Sequence, residues 1–196
     1  GDSSYGGDSS AEADELSSGV TRIYSNDFAF VALMDDGSMV TWGDSSNGEN
    51  RIPVSSGLSS RVTQIYSTFY AFAALKDDGS VVTWGESSYG GDSSAVSGDL
   101  SSGVTQINST YSDVSGAFAA LKGDGSVVTW GDPSRGGDSS AVSGDLSSRV
   151  THIYSNSGAF AALKGDGSVV TWGRIESGGD SSAVSDDLSS GVTHIY

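Results

Sequence analysis

The sequence contains no cysteine and few basic residues, and both absences exclude functions. Without cysteine the chain forms no disulfide bond and no thiolate metal site, although missing thiols do not indicate a compartment. Nine Lys and Arg residues stand against 25 acidic residues, which gives a formal net charge of −16. Nucleic acid and anionic membrane surfaces require clustered cations, so we expect neither as a partner. The acidity favours solubility or a basic partner.

Long apolar runs are also missing. No run approaches the ~20 residues that a membrane-spanning helix needs, so we expect no membrane insertion. Hydrophobic residues make up 36% of the chain, a low fraction that is common in disordered proteins. Here they are concentrated in repeated strand-like runs, which predicts a folded domain. No signal peptide is visible and residue 1 is Gly, so we expect a processed chain or a piece of a longer one.

What the sequence does contain is a repeat that ends in Thr-Trp-Gly. The four Trp residues stand at 42, 84, 130 and 172, so the spacings are 42, 46 and 42 residues. The longer unit has its extra residues around Tyr111 to Ser115, where they are expected to lengthen a surface loop. We predict one repeat domain over 1–196, with units near 19–60, 61–102, 103–148 and 149–190, and partial units at 1–18 and 191–196.

Each unit is predicted to form three strands, which in the second unit are Val62 to Tyr66, Ala71 to Lys76 and Ser80 to Trp84. Asp78-Gly79 lies between two apolar runs, which favours a two-residue type I′ hairpin turn. That turn would pair Ala73 with Trp84 and Phe72 with Gly85. The same Asp-Gly dipeptide recurs, so the predicted turn glycines are Gly37, Gly79, Gly125 and Gly167.

Both faces of such a hairpin are apolar. A solvated antiparallel sheet has one polar face, so each hairpin is expected to be covered on both sides, most simply by the next hairpin. Small Ala residues opposite large aromatic ones suit interleaved sheets. The predicted core comprises one Phe, one Leu and one Trp per unit: Phe30, Leu33 and Trp42; Phe72, Leu75 and Trp84; Phe118, Leu121 and Trp130; Phe160, Leu163 and Trp172.

The repeat resembles that of the regulator of chromosome condensation family of β-propellers. The resemblance rests on Val-x-x-Ile followed by Ala-Phe-Ala-Ala-Leu-x-x-Asp-Gly-Ser-Val-Val-Thr-Trp-Gly, which ends at Gly85 in the second unit. It also extends to tandem arrays of this repeat in very large algal and bacterial proteins. It implies an all-β fold of tandem antiparallel hairpin repeats of about 42 residues that is propeller-like. An open stack, or solenoid, of the same units is the alternative.

The chain departs from this family in several places. The family follows Trp-Gly with Gly-Gln-Leu-Gly, whereas this chain has Gly90-Gly91-Asp92-Ser93-Ser94 and similar segments. Four hairpins do not build the common seven blades, and no segment matches the exchange-factor insertion, so nucleotide exchange is not implied. The opening loop and the closing strand, Val192 to Tyr196, both lack a hairpin, which favours a segment of a longer array.

Four acidic turns are weak candidates for metal binding. Asp36, Asp78, Asp124 and Asp166 offer carboxylates beside backbone carbonyls, a donor set that suits calcium. They lack the spacing of an EF-hand, and a plain hairpin turn accounts for them. The Gly-Gly-Asp-Ser-Ser segments lack the nonapeptide period of calcium-binding β-helices, so we interpret them as turns capped by their own side chains.

Other chemistry-bearing residues have structural explanations. His152 and His194 occupy a position that holds Arg22, Gln64 or Gln106 in other units, so we expect exposed strand residues and not ligands or catalysts. No Ser, His and Asp form a recognisable catalytic arrangement. Asn108-Ser109-Thr110 matches the N-glycosylation sequon, most simply by chance. Tyr residues end the first strands of the first, second and fourth units and of the last partial unit, where packing or a sugar-stacking ladder is expected: Tyr24, Tyr66, Tyr154 and Tyr196.

The sequence therefore predicts a non-catalytic structural or protein-interaction module, a segment or subunit of a larger assembly, with no cofactor. Protein partners or self-assembly are expected. The loops near Asn26, Phe69, Tyr111 and Ser157 differ between units while the hairpins barely do, which favours display of these loops. A propeller lectin that binds glycans multivalently is one alternative. A calcium-stiffened extracellular array is the other.

Overall fold

The computed structural model describes residues 1–2, 5–44 and 61–196, and its architecture is all-β. Four separate sheets each contain three antiparallel strands in chain order. This confirms the predicted fold class of tandem hairpin repeats. The strands are β1 Val20–Ser25, β2 Ala29–Met34 and β3 Met39–Gly43; β4 Val62–Ser67, β5 Ala71–Lys76 and β6 Val81–Gly85; β7 Val104–Ser109, β8 Ala117–Lys122 and β9 Val127–Gly131; β10 Val150–Ser155, β11 Ala159–Lys164 and β12 Val169–Gly173.

Short 3₁₀ turns precede the first sheet, connect successive sheets and follow the fourth sheet. They include Ser10–Glu12, Glu15–Ser17, Ser87–Tyr89, Ser94–Val96, Asp99–Ser101, Pro133–Arg135, Ser140–Val142, Ile175–Ser177 and Ser182–Val184. Asp side chains stabilise the start of the turns at Ser94–Val96 and Ser140–Val142. The Asp92 carboxylate accepts the Ser94 N–H at 2.9 Å, and Asp138 accepts the Ser140 N–H at 2.9 Å. None of the helices in the described residues is long and apolar enough to cross a membrane.

The hairpin turns differ from the predicted type I′ geometry. Leu75 pairs with Val81, and Phe72 pairs with Trp84, one residue away from the predicted register. The loop is three residues long, because Lys76 N–H donates to the Ser80 carbonyl at 2.9 Å and Gly79 N–H donates to Lys76 at 3.0 Å. Only Gly79 in this turn has a positive φ, at 76°. A type I turn closed by a left-handed glycine spares Asp78 that strained conformation.

The corrected register changes which side chains share a face. Phe72 and Trp84 lie side by side with ring centroids 5.2 Å apart, together with Ala74. Ala71, Ala73 and Leu75 occupy the opposite face. We call the first the aromatic face and the second the small face. The prediction that placed Trp84 beside Ala73 and Leu75 was wrong. The extra loop residue shifts the register of the third strand by one residue, which moves each of its side chains to the opposite face.

The small face of each sheet packs against the aromatic face of the next. Three hydrophobic clusters lie between the first and second, second and third, and third and fourth sheets, and no described cluster joins the fourth sheet to the first. The Phe at each internal aromatic face is at most 1% exposed. The described sheets therefore form an open stack in which Ala residues receive the large Phe and Trp rings of the neighbour.

The first strands of successive sheets are neighbours along one edge of the stack. Ser67 Oγ donates to the Ser25 carbonyl at 3.1 Å, and Ser109 Oγ donates to the Ser67 carbonyl at 2.7 Å. Since β1 and β3 run in the same direction, the loop after each first strand lies at the same end as the segment after Trp-Gly. The stack thus brings its four variable loops to one end.

Candidate functional site

Six aromatic residues converge at the end of the stack that carries the variable loops. Phe28 comes from the β1–β2 loop, Phe69 and Tyr70 from the β4–β5 loop, and Tyr111 from the β7–β8 loop. The segments that precede the first and third sheets add Tyr5 and Tyr89. We define the aromatic cluster as Tyr5, Phe28, Phe69, Tyr70, Tyr89 and Tyr111.

The rings of the aromatic cluster form a continuous contact network across three sheets. Phe28 stacks on Tyr70 with centroids 4.4 Å apart, and Tyr5 stacks on Phe28 at 5.4 Å. Phe69 lies edge-on to Phe28 at 5.4 Å and to Tyr111 at 5.7 Å. Such stacked and edge-to-face contacts stabilise each pair beyond area burial alone. The cluster is therefore one packed surface and not six separate side chains.

Hydrogen bonds fix the backbone under the aromatic cluster. Thr68 Oγ1 donates to the Tyr89 carbonyl at 2.8 Å, which ties the β4–β5 loop to the next connecting segment. The Asn26 side chain accepts the N–H groups of Phe28 and Ala29 at 2.9 and 2.8 Å. Glu86 N–H donates to the Tyr70 carbonyl at 2.9 Å. These bonds satisfy the loop backbone internally, so the rings stand on a rigid base.

The enlarged β7–β8 loop contributes the outer edge of the cluster. The Tyr111 hydroxyl donates to the Asp27 carboxylate of the first sheet, and the ring remains 48% exposed. Desolvation, and then the Asp27 hydrogen bond and charge, raise the pKa of Tyr111 to about 12. The Tyr89 hydroxyl donates to the Asp113 carbonyl at 2.8 Å, and burial raises the pKa of Tyr89. The loop thus contacts two other loops through tyrosine hydroxyls.

Carboxylates surround the exposed rings. Asp27 binds the Tyr111 hydroxyl, while the charges of Asp113 and Glu86 act on Tyr89 and add to its raised pKa. All three acidic residues are exposed. A surface of aromatic faces edged by carboxylates attracts cations both through the ring quadrupoles and through charge.

The fourth sheet lacks this surface although its backbone is the same. Ser157 and Gly158 replace the aromatic pair Phe69 and Tyr70, and Arg135 replaces Tyr89. Arg135 Nη1 donates to the Ser157 carbonyl at 3.4 Å, and the Arg135 side chain is buried. The aromatic cluster is therefore a property of the first three sheets, and the fourth provides an internal comparison.

The residues singled out as metal candidates form hydrogen bonds within their own turns. Asp124 accepts the N–H and the hydroxyl of Ser126 at 2.9 and 2.7 Å, and Asp166 accepts the same pair from Ser168. Asp36 and Asp78 accept the N–H of the Ser two positions later. No group of three His, Cys, Asp or Glu residues assembles a metal site in the part of the chain that the structure describes.

The other candidate residues lie elsewhere. His152 and His194 are exposed on the edge formed by the first strands. Tyr24 and Tyr66 are half-buried and pack against the first and second inter-sheet clusters. Tyr154 lines a shallow cavity with Ile195 and Tyr196. The structure brings none of these residues into the aromatic cluster, which the repeat pattern did not predict. The available signal was the set of aromatics that vary between units.

Comparison with solved structures places the fold among propeller proteins. No family model and no curated protein matches the chain. Prp20p from Saccharomyces cerevisiae is similar over 80% of this chain and 44% of its own, with a TM-score of 0.51 and 16% identity. Yeast RCC1 (Prp20) bound to Kap60 gives a TM-score of 0.51, 17% identity, and coverage of 80% and 42%. Human WBSCR16 gives 0.48, 20%, and coverage of 79% and 47%.

The fold is thus similar to the RCC1 propeller. The chain spans less than half the length of each of these structures. At such identities the likeness concerns the arrangement of strands and not the activity of these proteins.

Proposed function

We propose that this chain is a non-catalytic protein-binding module whose aromatic cluster binds a basic segment of a partner protein. One observation carries the proposal: six aromatic rings, four from three differing loops and two from the segments before the first and third sheets, pack together beside the carboxylates of Asp27, Glu86 and Asp113. Aromatic residues are enriched at protein interfaces, and Arg and Lys side chains pack on aromatic faces. The yeast relative named above binds Gsp1p and histones, which fits a binding role for this fold.

The rigidity of the cluster supports recognition. Buried Thr68 and half-buried Asn26 hold the loops through hydrogen bonds to the backbone, so little conformational entropy is lost when a partner binds. We propose that the four units near 19–60, 61–102, 103–148 and 149–190 act as the scaffold. Their Trp-Gly pattern supports a place among tandem repeat proteins such as those of large algal and bacterial chains.

A labelled peptide of alternating Arg and Gly tests the proposal by fluorescence anisotropy. Tyr111→Ala leaves the net charge unchanged and removes an exposed ring, so we expect the dissociation constant to rise about threefold to thirtyfold. Tyr196→Ala, which removes an exposed ring outside the cluster, is the matched control and should bind like the wild type. If both variants bind as tightly as the wild type, the peptide binds only through the overall negative charge of the protein, and the proposal fails.

Replacing the Tyr111 to Ser115 loop with a short one gives a second test. The variant should keep the fold, because the hairpins contribute the inter-sheet clusters, and should lose binding of protein partners in a pull-down. Unchanged capture of all partners would contradict display by this loop.

The two alternative functions have less support. A multivalent lectin requires repeated sites, whereas the aromatic cluster occurs once in the described part of the chain and draws on loops that differ. A glycan array tests it. A calcium-stiffened array requires free donors, whereas Asp124 and Asp166 already accept hydrogen bonds from their own turns. Calorimetry with calcium and with a chelator tests it, and we expect identical melting.

A further inference from the structure

Charge is distributed unevenly over the end of the stack that carries the variable loops, which we call the loop end. The carboxylates of this end described above lie beside the aromatic cluster of the first three sheets. Its two described basic residues lie farther along the stack, since Arg135 is in the segment between the third and fourth sheets and Arg174 directly follows β12. The other described basic residues lie on β1 or beside the hairpin turns at the opposite end: Arg22, Arg61, Lys76, Lys122, Arg149 and Lys164.

Arg135 occupies the position that Tyr89 occupies one sheet earlier. Each residue ends a 3₁₀ turn, and each is followed by a left-handed glycine, with φ of 96° for Gly136 and 90° for Gly90. Stacked sheets lie about 10 Å apart, so Arg135 is placed about one such step beyond Tyr89 of the aromatic cluster. Burial raises the pKa of Tyr89, and the positive charge of Arg135 opposes that rise.

The guanidinium of Arg135 is a buried charge without a paired carboxylate. Arg135 is 7% exposed, and its one hydrogen bond in the described part of the chain joins Nη1 to the Ser157 carbonyl at 3.4 Å. The ion pairs among the described residues involve Arg149 and Arg174 but not Arg135. Burying a charge without a partner is unfavourable, and hydrogen bonds that such a group does not make within the protein are met by water, an ion or a ligand.

The surroundings of Arg135 hold the guanidinium but leave part of it accessible. Asp132, three residues earlier, does not pair with it, because the Asp132 carboxylate accepts the N–H and the hydroxyl of Ser134 at 2.7 and 2.6 Å. Gly158 leaves room for the guanidinium, since a Cβ there would lie 3.1 Å from Nη1 of Arg135. Arg135 is not among the described residues whose polar side-chain atoms are both wholly buried and unpaired. Its Nε and Nη2 donors therefore reach the surface of the loop end.

We infer that Arg135 binds a carboxylate side chain of the same partner segment whose basic residue packs on the aromatic cluster, an inference that rests on the function proposed above. A carboxylate matches the planar guanidinium with two parallel hydrogen bonds. A phosphate dianion suits the position less well, because Glu86, Asp113 and Asp132 and the net charge of −16 repel its second negative charge. The two subsites give the segment a direction, with its basic residue over the first three sheets and its acidic residue toward the fourth.

Pairs of labelled peptides test the inference by fluorescence anisotropy. Each peptide is acetylated and amidated and contains alternating Arg and Gly, then four Gly residues that span on the order of 10 Å, then either Glu or Gln. A second pair carries the Glu or Gln at the other end. Overall acidity of the protein favours the Gln peptides, because Glu lowers the positive charge of the peptide. We expect the opposite of the wild type: in at least one pair, the Glu peptide should bind about threefold to thirtyfold more tightly.

Variants assign this preference to Arg135. Arg135→Gln should abolish the preference for Glu and should bind the Gln peptides at least as tightly as the wild type, which also shows that the loop end is folded. Arg135→Tyr, which copies the residue at position 89 into the same turn, should behave likewise. Arg22→Gln is the matched control, because it removes one positive charge at an exposed strand position that holds Gln64 and Gln106 in other sheets. It should keep the preference for Glu.

The outcomes separate this inference from the proposed function. If the wild type binds the Gln peptides but prefers Glu in neither pair, or if Arg135→Gln keeps the preference, Arg135 is no carboxylate subsite although the aromatic cluster still binds basic segments. If the wild type binds no Gln peptide, the proposed function fails and the inference fails with it. A peptide with phosphoserine in place of Glu should bind less tightly than the Glu peptide, and tighter binding would overturn the choice of a carboxylate.

Discussion

The indole N–H of Trp130 donates to the carbonyl of Gly90 at 3.0 Å and so ties one sheet to the segment that precedes it by 40 residues. Trp172 binds Gly136 at 3.0 Å and Trp42 binds Gly6 at 3.1 Å in the same way. Each of these Gly residues also lies against the Phe ring of the sheet that follows it. Each of these Trp side chains therefore packs against its neighbours and also hydrogen-bonds to the backbone segment that precedes its own sheet.

Trp130→Phe should destabilise the fold through this hydrogen bond. Phenylalanine retains the packing against Phe118 but leaves the Gly90 carbonyl buried without its donor, which costs about 1–3 kcal/mol of unfolding free energy. Trp130→Ala should cost about 3–5 kcal/mol, since it also opens a cavity. Urea unfolding monitored by circular dichroism measures both. A loss of less than about 0.5 kcal/mol for Trp130→Phe would show that the bond to Gly90 contributes nothing measurable.

The turn glycines should tolerate no side chain where the next unit approaches. Gly79 has φ +76°, and a Cβ there would lie 2.7 Å from the Gly103 nitrogen. Gly79→Ala should therefore destabilise the fold by at least about 1–2 kcal/mol. Gly98→Ala is the control, because its φ is −62° and nothing lies within 4 Å. It should be neutral or slightly stabilising, and thermal melting distinguishes the two.

Lowering the pH should reduce the stability that the hairpin-turn carboxylates contribute to the fold. The Ser126 hydroxyl and N–H hold the pKa of Asp124 below its usual 3.8. Because the folded-state pKa is the lower one, the carboxylate stabilises the fold above the unfolded-state pKa, and this stabilisation is lost as pH falls through the folded-state pKa. Asp124→Asn should therefore reduce the fall in melting temperature below about pH 4. Asp187→Asn, at an exposed position, controls for the lost charge.

Tyr111 should titrate later than an ordinary tyrosine. Its pKa is about 12, raised by desolvation and by the Asp27 carboxylate. Asp27→Asn removes the charge that opposes ionisation, so we expect a lower pKa for Tyr111. Carbon-13 NMR of the Tyr Cζ resonances measures it directly. An unchanged pKa in the variant would show that Asp27 does not act on the phenol.

The local sequence pattern was sufficient to predict the strands but not the type of hairpin turn that joins them. Alternating apolar residues and an Asp-Gly dipeptide predicted the hairpin of β5 and β6, which the structure contains. The same dipeptide suits a two-residue and a three-residue loop, and the choice depended on whether Asp78 adopts a left-handed conformation. That one residue decided whether Trp84 lies beside Phe72 or beside Ala73.

The aromatic cluster was not predictable from the same pattern. Phe28, Phe69 and Tyr111 occupy loops that differ in sequence, and they are 41 or 42 residues apart. Their contact depends on how far each sheet is rotated and shifted relative to the next, which periodicity does not specify. Tyr24 and Tyr66, which do recur with the repeat, lie in the inter-sheet packing instead.

The sequence by itself determined a stack of hairpins with two apolar faces, because alternation along a strand assigns every side chain to a face and a repeated unit covers itself. The tertiary structure alone decided which face meets which and which loops gather at one end. Both features depend on contacts between residues far apart in the chain, and a local sequence pattern does not specify the free energy of such contacts.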